Sequence, residues 1–163
     1  MNPIFNRKII SFWAGILIFL SGVPAFCGEI HIIVNTSVPV SALSENEIRD
    51  IYIGRKIMWP GNRKIIPVIA PSLDLHDEFT LKYTRKSGSQ FKSWWLQLVF
   101  SGEGVFPKTA ASEKEMVEKV SEYEGGIGYS SVKIDTDKVK TVVVYDKDQI
   151  LKEFRNPNGT ENE

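Results

Sequence analysis

Short apolar runs rich in β-branched residues recur along the chain and predict buried strands. The first is EIHIIVN at 29–35, and the second is KIIPVIA at 64–70. GGIGYS and KTVVVY, the latter at 140–145, predict two further strands. Pro67 removes one backbone donor from the second run, so we expect that strand to lie at a sheet edge or to carry a bulge.

Between these runs, apolar residues recur with helical periodicity. Ser44 and Glu47 form a capping box ahead of a helix that should stop at Gly54. A second capping box, at 112–115, precedes another helix. The clearest helix lies between them, because its apolar residues fall at i, i+3, i+4, i+7 and i+8. These residues are Phe91, Trp94, Trp95, Leu98 and Val99.

Strands alternate with helices in this order, which favours an α/β domain. We expect a single domain at 28–155, with a mixed or mostly parallel sheet of about four to five strands covered by helices. A last short helix is expected to begin at Asp146 and to end near Phe154. A disordered polar tail should follow at 156–163.

The start of the chain has the charge and hydropathy pattern of an export signal. Arg7 and Lys8 precede an apolar segment at 9–20, which is shorter than the roughly 20 residues of a membrane span. The small residues up to Cys27 fit a cleavage site, so 1–27 is predicted to be a signal peptide. Acylation of Cys27, as in a lipoprotein, is the alternative to plain secretion.

Removal of the signal peptide changes the composition and narrows the possible functions. The full chain has 20 basic and 20 acidic side chains and one cysteine. Loss of two basic residues and of that cysteine leaves 18 basic and 20 acidic side chains, a net charge of −2. This balance gives no indication of nucleic-acid binding. Without a cysteine, disulfides and thiolate chemistry are excluded.

The segment PSLDLHDEF at 71–79 groups several polar residues at a predicted helix start. Asp74 is predicted to be the N-cap, and Asp77 lies in the first turn, where the helix dipole favours carboxylates. Together with His76 they offer metal-binding groups, but neighbouring positions spread around a helical turn and do not converge. Capping is the favoured interpretation, and we expect neither a metal nor any other cofactor.

Sequence signatures of catalysis are missing from the chain. It contains no GxSxG, HExxH or Walker A sequence. Nothing distinguishes one serine as a nucleophile, so hydrolysis ranks behind the binding functions considered below. We expect no catalytic residues and no enzyme activity.

Several segments, in order, resemble the solute-binding proteins of phosphate ABC transporters. IIVNTSVPVSALSENEIRDIYIGRKIMWPGNRKIIPV resembles the family's first strand, its Leu-Ser turn, a helix ending in Ile-Phe-x-Gly-Lys and a Trp-x-Asp-Gly turn. FKSWWLQLVFSGEGVFPKTAASEKEMVEKV resembles its Trp-rich helix, its Gly-rich loop and the capped helix that follows. GGIGYSS resembles its Gly-Ala-Ile-Gly-Tyr strand. The resemblance extends from Glu29 to Tyr145.

The resemblance implies one lobe of a type II periplasmic binding protein (PBP) fold. Family members have two lobes hinged around the ligand, and this chain is similar to the lobe inserted in the middle. The family holds phosphate with an Arg and with Ser-Gly-Thr at a helix start. Leu73, Asp74 and Leu75 approximately take the place of Ser-Gly-Thr, and Ile69 or Ala70 stands in the Arg region. The hydroxyls and the cation are therefore missing, and a carboxylate is added.

These features together predict a secreted, non-catalytic solute-binding module in the periplasm. Phosphate or another oxyanion is the expected ligand. The ligand site is expected at the carboxyl ends of strands, which is where ligands bind in α/β sheets. The residues predicted to line it are Asn35, Thr36, Ser37, Ser72 and Asp74.

The alternative hypothesis is a protein-interaction or accessory module without a small-molecule ligand. The open face of the lobe would then bind another protein or a second copy of the chain. Trp59 and Tyr52 would be its exposed anchors, because aromatic residues are frequent at interface hot spots. Neither hypothesis involves nucleic acid, or a membrane span after removal of the signal peptide.

Overall fold

The computed structural model describes residues 29–147, so the predicted signal peptide, most of the last predicted helix and the tail lie outside the described part. The helices are α1 (Glu45–Tyr52), α2 (Asp74–Phe79), α3 (Gly88–Phe100) and α4 (Glu113–Glu122), and a π-helical segment, Thr80–Thr84, follows α2. The strands are β1 (His31–Asn35), β2 (Ala42–Ser44), β3 (Ile66–Ile69), β4 (Lys108–Thr109), β5 (Gly126–Ser130) and β6 (Val139–Tyr145). No helix within residues 29–147 is long and apolar enough to cross a membrane.

The strands form one mixed sheet in the order β2-β6-β1-β5-β3-β4. β1 lies between β5 and β6 and is antiparallel to both, whereas β5, β3 and β4 run parallel to one another. This arrangement confirms the predicted α/β fold, with a 6-stranded sheet in place of about four to five strands. The sequence pattern missed β2 and β4 because they are only 3 and 2 residues long.

β3 is not an edge strand, so the expectation based on Pro67 is wrong in that respect. On one side, Pro67 pairs with Ile127 of β5. On the other side, β4 pairs only with Val68 and Ile69. The ladder with β4 begins after Pro67, so the missing N–H of the proline does not interrupt it.

The predicted capping box at the start of α1 is confirmed. The Ser44 hydroxyl accepts a hydrogen bond from the Glu47 N–H, and the Glu47 carboxylate accepts one from the Ser44 N–H. Lys56 Nζ lies 2.7 Å from the same carboxylate. Partial burial alone would raise the pKa of Glu47, but the hydrogen bonds from Lys56 and Ser44 outweigh it and lower that pKa to about 2.

The serines at the other helix starts behave in two ways. At α3, Ser87 and Gln90 form a complete capping box. At α4, Ser112 accepts from the Glu115 N–H as predicted, but the Glu115 carboxylate accepts from the Ala111 N–H and not from Ser112. The predicted box at α4 is therefore only half formed.

The core contains aromatic rings from α1, α2, α3 and β5. Phe79 stacks on Tyr129 with ring centroids 4.1 Å apart, and Tyr52 meets Phe79 edge-on at 4.5 Å. Trp95 donates its indole N–H to the carbonyl of Tyr52, and Trp94 donates its indole N–H to the carbonyl of Ile53. These bonds fasten α3 to the end of α1 and satisfy the polar atoms of both tryptophans.

We predict that Glu47→Gln destabilises the protein at neutral pH by up to about 1 kcal/mol, because glutamine can still close the capping box, as Gln90 does at α3, but loses the charge that pairs with Lys56 Nζ. The pKa of Glu47 is lowered on folding, so its carboxylate stabilises the fold above the unfolded value of about 4.5, and this contribution is lost as the pH falls to about 2. Urea unfolding across this pH range measures the difference from wild type. Glu45→Gln, in the same turn, is the control, and an equal, pH-independent loss in both variants would contradict the prediction.

Candidate functional site

The carboxyl ends of three parallel strands meet at one edge of the sheet. β3, β4 and β5 run in the same direction, and the segments at which they end are 70–75, 110–113 and 130–132. We call these three segments the carboxyl edge. Ligands of α/β proteins bind at such an edge because loops and helix N-termini converge there.

At the carboxyl edge, α2 begins without a capping side chain. The prediction that Asp74 is the N-cap is wrong: Leu73 holds that position and makes no side-chain hydrogen bond, and Asp74 is the first helical residue. Within residues 29–147, the N–H groups of Asp74 and Leu75 have no acceptor. An open first turn of this kind presents N–H groups to an anion. The side chain of Asp74 is exposed beside them.

Ser72 joins the loop before α2 to the segment after β4. Its hydroxyl donates to the carbonyl of Ala111 at 3.3 Å. The Leu73 N–H closes the loop with a hydrogen bond to the Ala70 carbonyl at 3.0 Å. An anion at this edge would therefore compete with Ala111 for the Ser72 proton, while the amides of α2 are free of such competition.

His76 lies behind the carboxyl edge and is hydrogen-bonded to Tyr129. Its Nδ1 is 2.7 Å from the Tyr129 hydroxyl, and that hydroxyl oxygen also accepts from the Ala70 N–H at 2.8 Å. Tyr129 is buried and has a single hydroxyl proton, for which His76 Nδ1 is the acceptor. This network assigns the histidine's own proton to Nε2.

Burial keeps this histidine–tyrosine pair uncharged. Desolvation lowers the pKa of His76, while the nearby Asp77 carboxylate acts in the opposite direction. Desolvation also raises the pKa of Tyr129, although the hydrogen bond from Ala70 partly offsets it. At neutral pH the imidazole is therefore neutral and the phenol is protonated.

Glu113 occupies a second group of donors at the carboxyl edge. Its carboxylate accepts from the Ser130 hydroxyl, the Ser131 hydroxyl and the Ser131 N–H, each at 3.0 Å. Burial alone would raise the pKa of Glu113, but the bonds from Ser131 and Ser130 lower it overall. These donors already hold a carboxylate of the chain itself, so they are not open to a ligand.

The residues predicted to line the ligand site do not come together. β1 is antiparallel to β5, and β3 is parallel to β5. Asn35, Thr36 and Ser37 therefore lie at the opposite end of the sheet from Ser72 and Asp74. Each group follows the carboxyl end of a strand, as expected, but the two strands run in opposite directions.

Asn35 has a structural role at that opposite end. Its side-chain amide donates to the carbonyls of Val120 and Ser121, both at 3.0 Å, and its oxygen accepts from the Ser37 N–H at 2.9 Å. These bonds fasten the end of α4 to the end of β1. Both amide protons are used, so Asn35 has no donor left for a ligand.

Tyr52 and Trp59, the expected anchors of a protein interface, are buried. Their side chains are 0% and 2% exposed, respectively. The Trp59 indole N–H donates to the Gly125 carbonyl at 2.9 Å, and the Tyr52 hydroxyl lies 3.3 Å from the Ile127 carbonyl. The expectation that these two rings face a partner is therefore wrong.

The segment at 71–79 does not form a metal site. Across the described residues, 29–147, no three His, Cys, Asp or Glu side chains are grouped closely enough to hold an ion. His76 is engaged at Nδ1 by Tyr129, and Asp74 and Asp77 are exposed. The segment is a helix start that carries one buried histidine.

The buried link between His76 and Tyr129, and the contacts of Glu113 with Ser130 and Ser131, were not predicted from the sequence. One signal was present: His76 shares a helical face with Phe79 and Tyr83, which are both buried. That spacing indicates a histidine turned toward the core. Its partner Tyr129 is far away in the chain, and no local pattern connects the two.

Solved structures similar to this chain include a PstS protein and two proteins described as parts of phosphate transporters. Neither the protein-family models nor the curated proteins gave a match. PstS from Borrelia burgdorferi superposes over 77% of this chain with a TM-score of 0.51 and 15% identity. A putative phosphate ABC transporter substrate-binding protein from Clostridium perfringens, solved with bound phosphate, superposes over 77% of the chain with a TM-score of 0.47 and 22% identity. An ABC-type phosphate transport receptor from Vibrio cholerae superposes over 77% of the chain with a TM-score of 0.45 and 21% identity.

The likeness to the Borrelia protein shows that the chain has a PBP-like fold, similar to that of part of that protein. This confirms the resemblance seen in the sequence. The chain spans about half the length of these proteins, because the match covers 52%, 50% and 51% of the Borrelia, Clostridium and Vibrio chains, respectively. At 15% identity the likeness concerns the fold alone.

We predict that Tyr129→Phe lowers the free energy of unfolding by about 1–3 kcal/mol, because it leaves the buried Ala70 N–H and His76 Nδ1 without their partner. Tyr83→Phe is the matched control: Tyr83 is also buried, but its hydroxyl makes no hydrogen bond to residues 29–147. Urea unfolding of both variants gives the comparison. Losses equal within about 0.5 kcal/mol would show that the Tyr129 hydroxyl is not the link described here.

Proposed function

We propose that this chain is a non-catalytic solute-binding lobe that acts in the periplasm and takes a small oxyanion at its carboxyl edge. The observation that carries the proposal is the open first turn of α2, where the Asp74 and Leu75 amides lack acceptors within the described residues. It lies where three parallel strands end, which is the usual ligand position in this class of sheet. The PBP-like fold supports the same function.

Phosphate itself is a poor fit to this edge. The exposed Asp74 carboxylate stands next to the open amides, and a like charge at about 4 Å costs roughly 1 kcal/mol in water. No arginine lies in segments 70–75, 110–113 or 130–132. We therefore propose that the lobe binds phosphate weakly and prefers an oxyanion of lower charge. Of the residues predicted from the sequence, Ser72 and Asp74 stay in the proposed site, and Asn35, Thr36 and Ser37 do not.

A single lobe also limits the affinity. Closure of two lobes removes water from a bound anion and strengthens every hydrogen bond to it. The described chain offers one open edge, so we propose that tight binding requires a second surface, supplied by another chain or by a second copy.

Export to the periplasm is the other part of the proposal. It is motivated by Arg7 and Lys8 ahead of the apolar segment at 9–20. Expression of the full chain in a Gram-negative host, followed by osmotic-shock fractionation and N-terminal sequencing, tests it. A mature product beginning at Gly28 in the periplasmic fraction supports it, and an uncleaved cytoplasmic product contradicts it.

We predict that Asp74→Asn tightens the binding of phosphate about fivefold, because it removes the like charge beside the open amides. Isothermal titration calorimetry with inorganic phosphate and with nitrate measures the change, and nitrate should gain less than phosphate. Asp137→Asn is the control, since Asp137 is also exposed but lies at the end of the sheet that holds Thr36. A tight phosphate complex that Asp74→Asn abolishes would overturn the proposal.

A protein-contact role is the second candidate, and an exposed apolar surface on and after α3 favours it. Phe100 is 86% exposed, Leu96 and Val99 share its face of α3 and are partly exposed, and Val105 in the following loop is 74% exposed. Apolar groups collected on one surface are typical of interfaces. This surface replaces Tyr52 and Trp59, which are buried, as the place where a second copy of the chain would bind.

If this surface joins two copies, Phe100→Ser should convert a dimer to a monomer in sedimentation equilibrium experiments, because the substitution removes its largest exposed apolar side chain. Val143→Ser is the control, because Val143 is 66% exposed but lies on β6. A wild-type protein that is monomeric at all accessible concentrations would exclude this second candidate.

A further inference from the structure

A cleft next to the carboxyl edge lies between α2, α3 and the ends of β3 and β4. Its volume is about 490 Å³, within the range of roughly 300–1,000 Å³ that is usual for small-molecule sites. Ile69, Pro71, Phe91 and Phe106 supply apolar walls. We call it the His76 cleft, because His76 contributes its most buried polar group.

The Nε2 atom of His76 is an unused donor facing this cleft. The side chain is only 3% exposed, and Nδ1 is engaged by Tyr129. Nε2 makes no hydrogen bond to any residue in 29–147. Every fully enclosed side-chain nitrogen or oxygen in that range has a partner, so Nε2 is not fully enclosed. Nε2 is therefore open to the cleft. Since the Tyr129 proton goes to Nδ1, Nε2 carries a hydrogen and donates.

Two opposite charges border the same cleft without neutralising each other. Asp77 of α2 and Lys92 of α3 both line it. Within residues 29–147, neither side chain forms an ion pair or a hydrogen bond, with the other or with any third residue. The Asp77 carboxylate lies close to Gly88, where an added Cβ would collide with it. The cleft thus offers an anion, a cation and a neutral N–H donor around an apolar floor.

We propose that the His76 cleft binds a small zwitterion with an apolar side chain, such as a free hydrophobic amino acid. The ammonium group pairs with Asp77, and the carboxylate pairs with Lys92 and accepts from His76 Nε2–H. The apolar side chain packs against Phe91 and Phe106. A ligand with both charges satisfies Asp77 and Lys92 together, whereas a simple anion would meet the Asp77 carboxylate unpaired. This site shares Pro71 with the carboxyl edge, but its charged groups lie on α2 and α3, and the proposal does not depend on the oxyanion site.

The probes are L-phenylalanine and two analogues that each lack one charge, 3-phenylpropanoate and 2-phenylethylamine. Isothermal titration calorimetry of the full exported protein should show L-phenylalanine binding in the millimolar range or tighter. Each analogue should bind at least about fivefold more weakly, because each loses one partly exposed ion pair. An analogue that binds as tightly as L-phenylalanine, or the absence of any L-phenylalanine binding, overturns the proposal.

Two substitutions on the cleft rim test which ligand group each charged side chain binds. Both side chains are exposed, so each can be replaced without loss of the fold. Asp77→Asn should weaken L-phenylalanine about fivefold and leave 3-phenylpropanoate unweakened. Lys92→Met should weaken L-phenylalanine and 3-phenylpropanoate and leave 2-phenylethylamine unchanged. Lys114→Met, on α4 with a side chain 88% exposed, is the control and should change none of the three. Thermal unfolding checks that every variant is folded, and equal effects of Lys92→Met and Lys114→Met contradict the proposal.

Discussion

The candidate sites depend on the two hydrogen bonds of the Tyr129 hydroxyl. This hydroxyl accepts from the Ala70 N–H and donates to His76 Nδ1, so one buried oxygen joins the end of β3, the first turn of α2 and β5. The ring beneath it stacks on Phe79 and comes near Tyr52, which places the same residue at the centre of the core. Because these bonds lie in a desolvated interior, losing one partner leaves another buried polar group unpaired. The position of α2, its open amides and the direction of the His76 imidazole all follow from this link.

Strand direction is the second constraint, because it decides which residues can act together. β5, β3 and β4 are parallel, so their carboxyl ends form one edge with the start of α2. β1 runs antiparallel to β5, so the polar residues that follow β1 lie at the other end of the sheet. At the carboxyl edge, Glu113 already fills the donors of Ser130 and Ser131. What remains there for a ligand is the backbone at the start of α2, next to an acidic side chain.

Local sequence patterns predicted much of the fold. They did not predict the contacts between residues far apart in the chain or the directions of the strands. The capping box at Ser44 and the helix α3 depend on residues within a few positions of one another, and the structure confirms both, although Val99 of the predicted apolar stripe is exposed. Asp74 was assigned the wrong cap position because the loop from β3 turns one residue earlier, at Leu73. Tyr52 and Trp59 are buried through contacts with β5 and the residue before it, which sequence periodicity does not report. The separation of Asn35 from Ser72 has the same origin, since the pattern of a strand does not encode its direction.

The open first turn of α2 is where we propose that the lobe receives small anions. An NMR titration of the ¹⁵N-labelled protein with inorganic phosphate and with nitrate tests it residue by residue. We predict saturable shifts of the Asp74 and Leu75 amide resonances, with little change at Thr36 and Ser37. Shifts concentrated at Thr36 and Ser37, or no saturable shift at Asp74 and Leu75 with either anion, would contradict it.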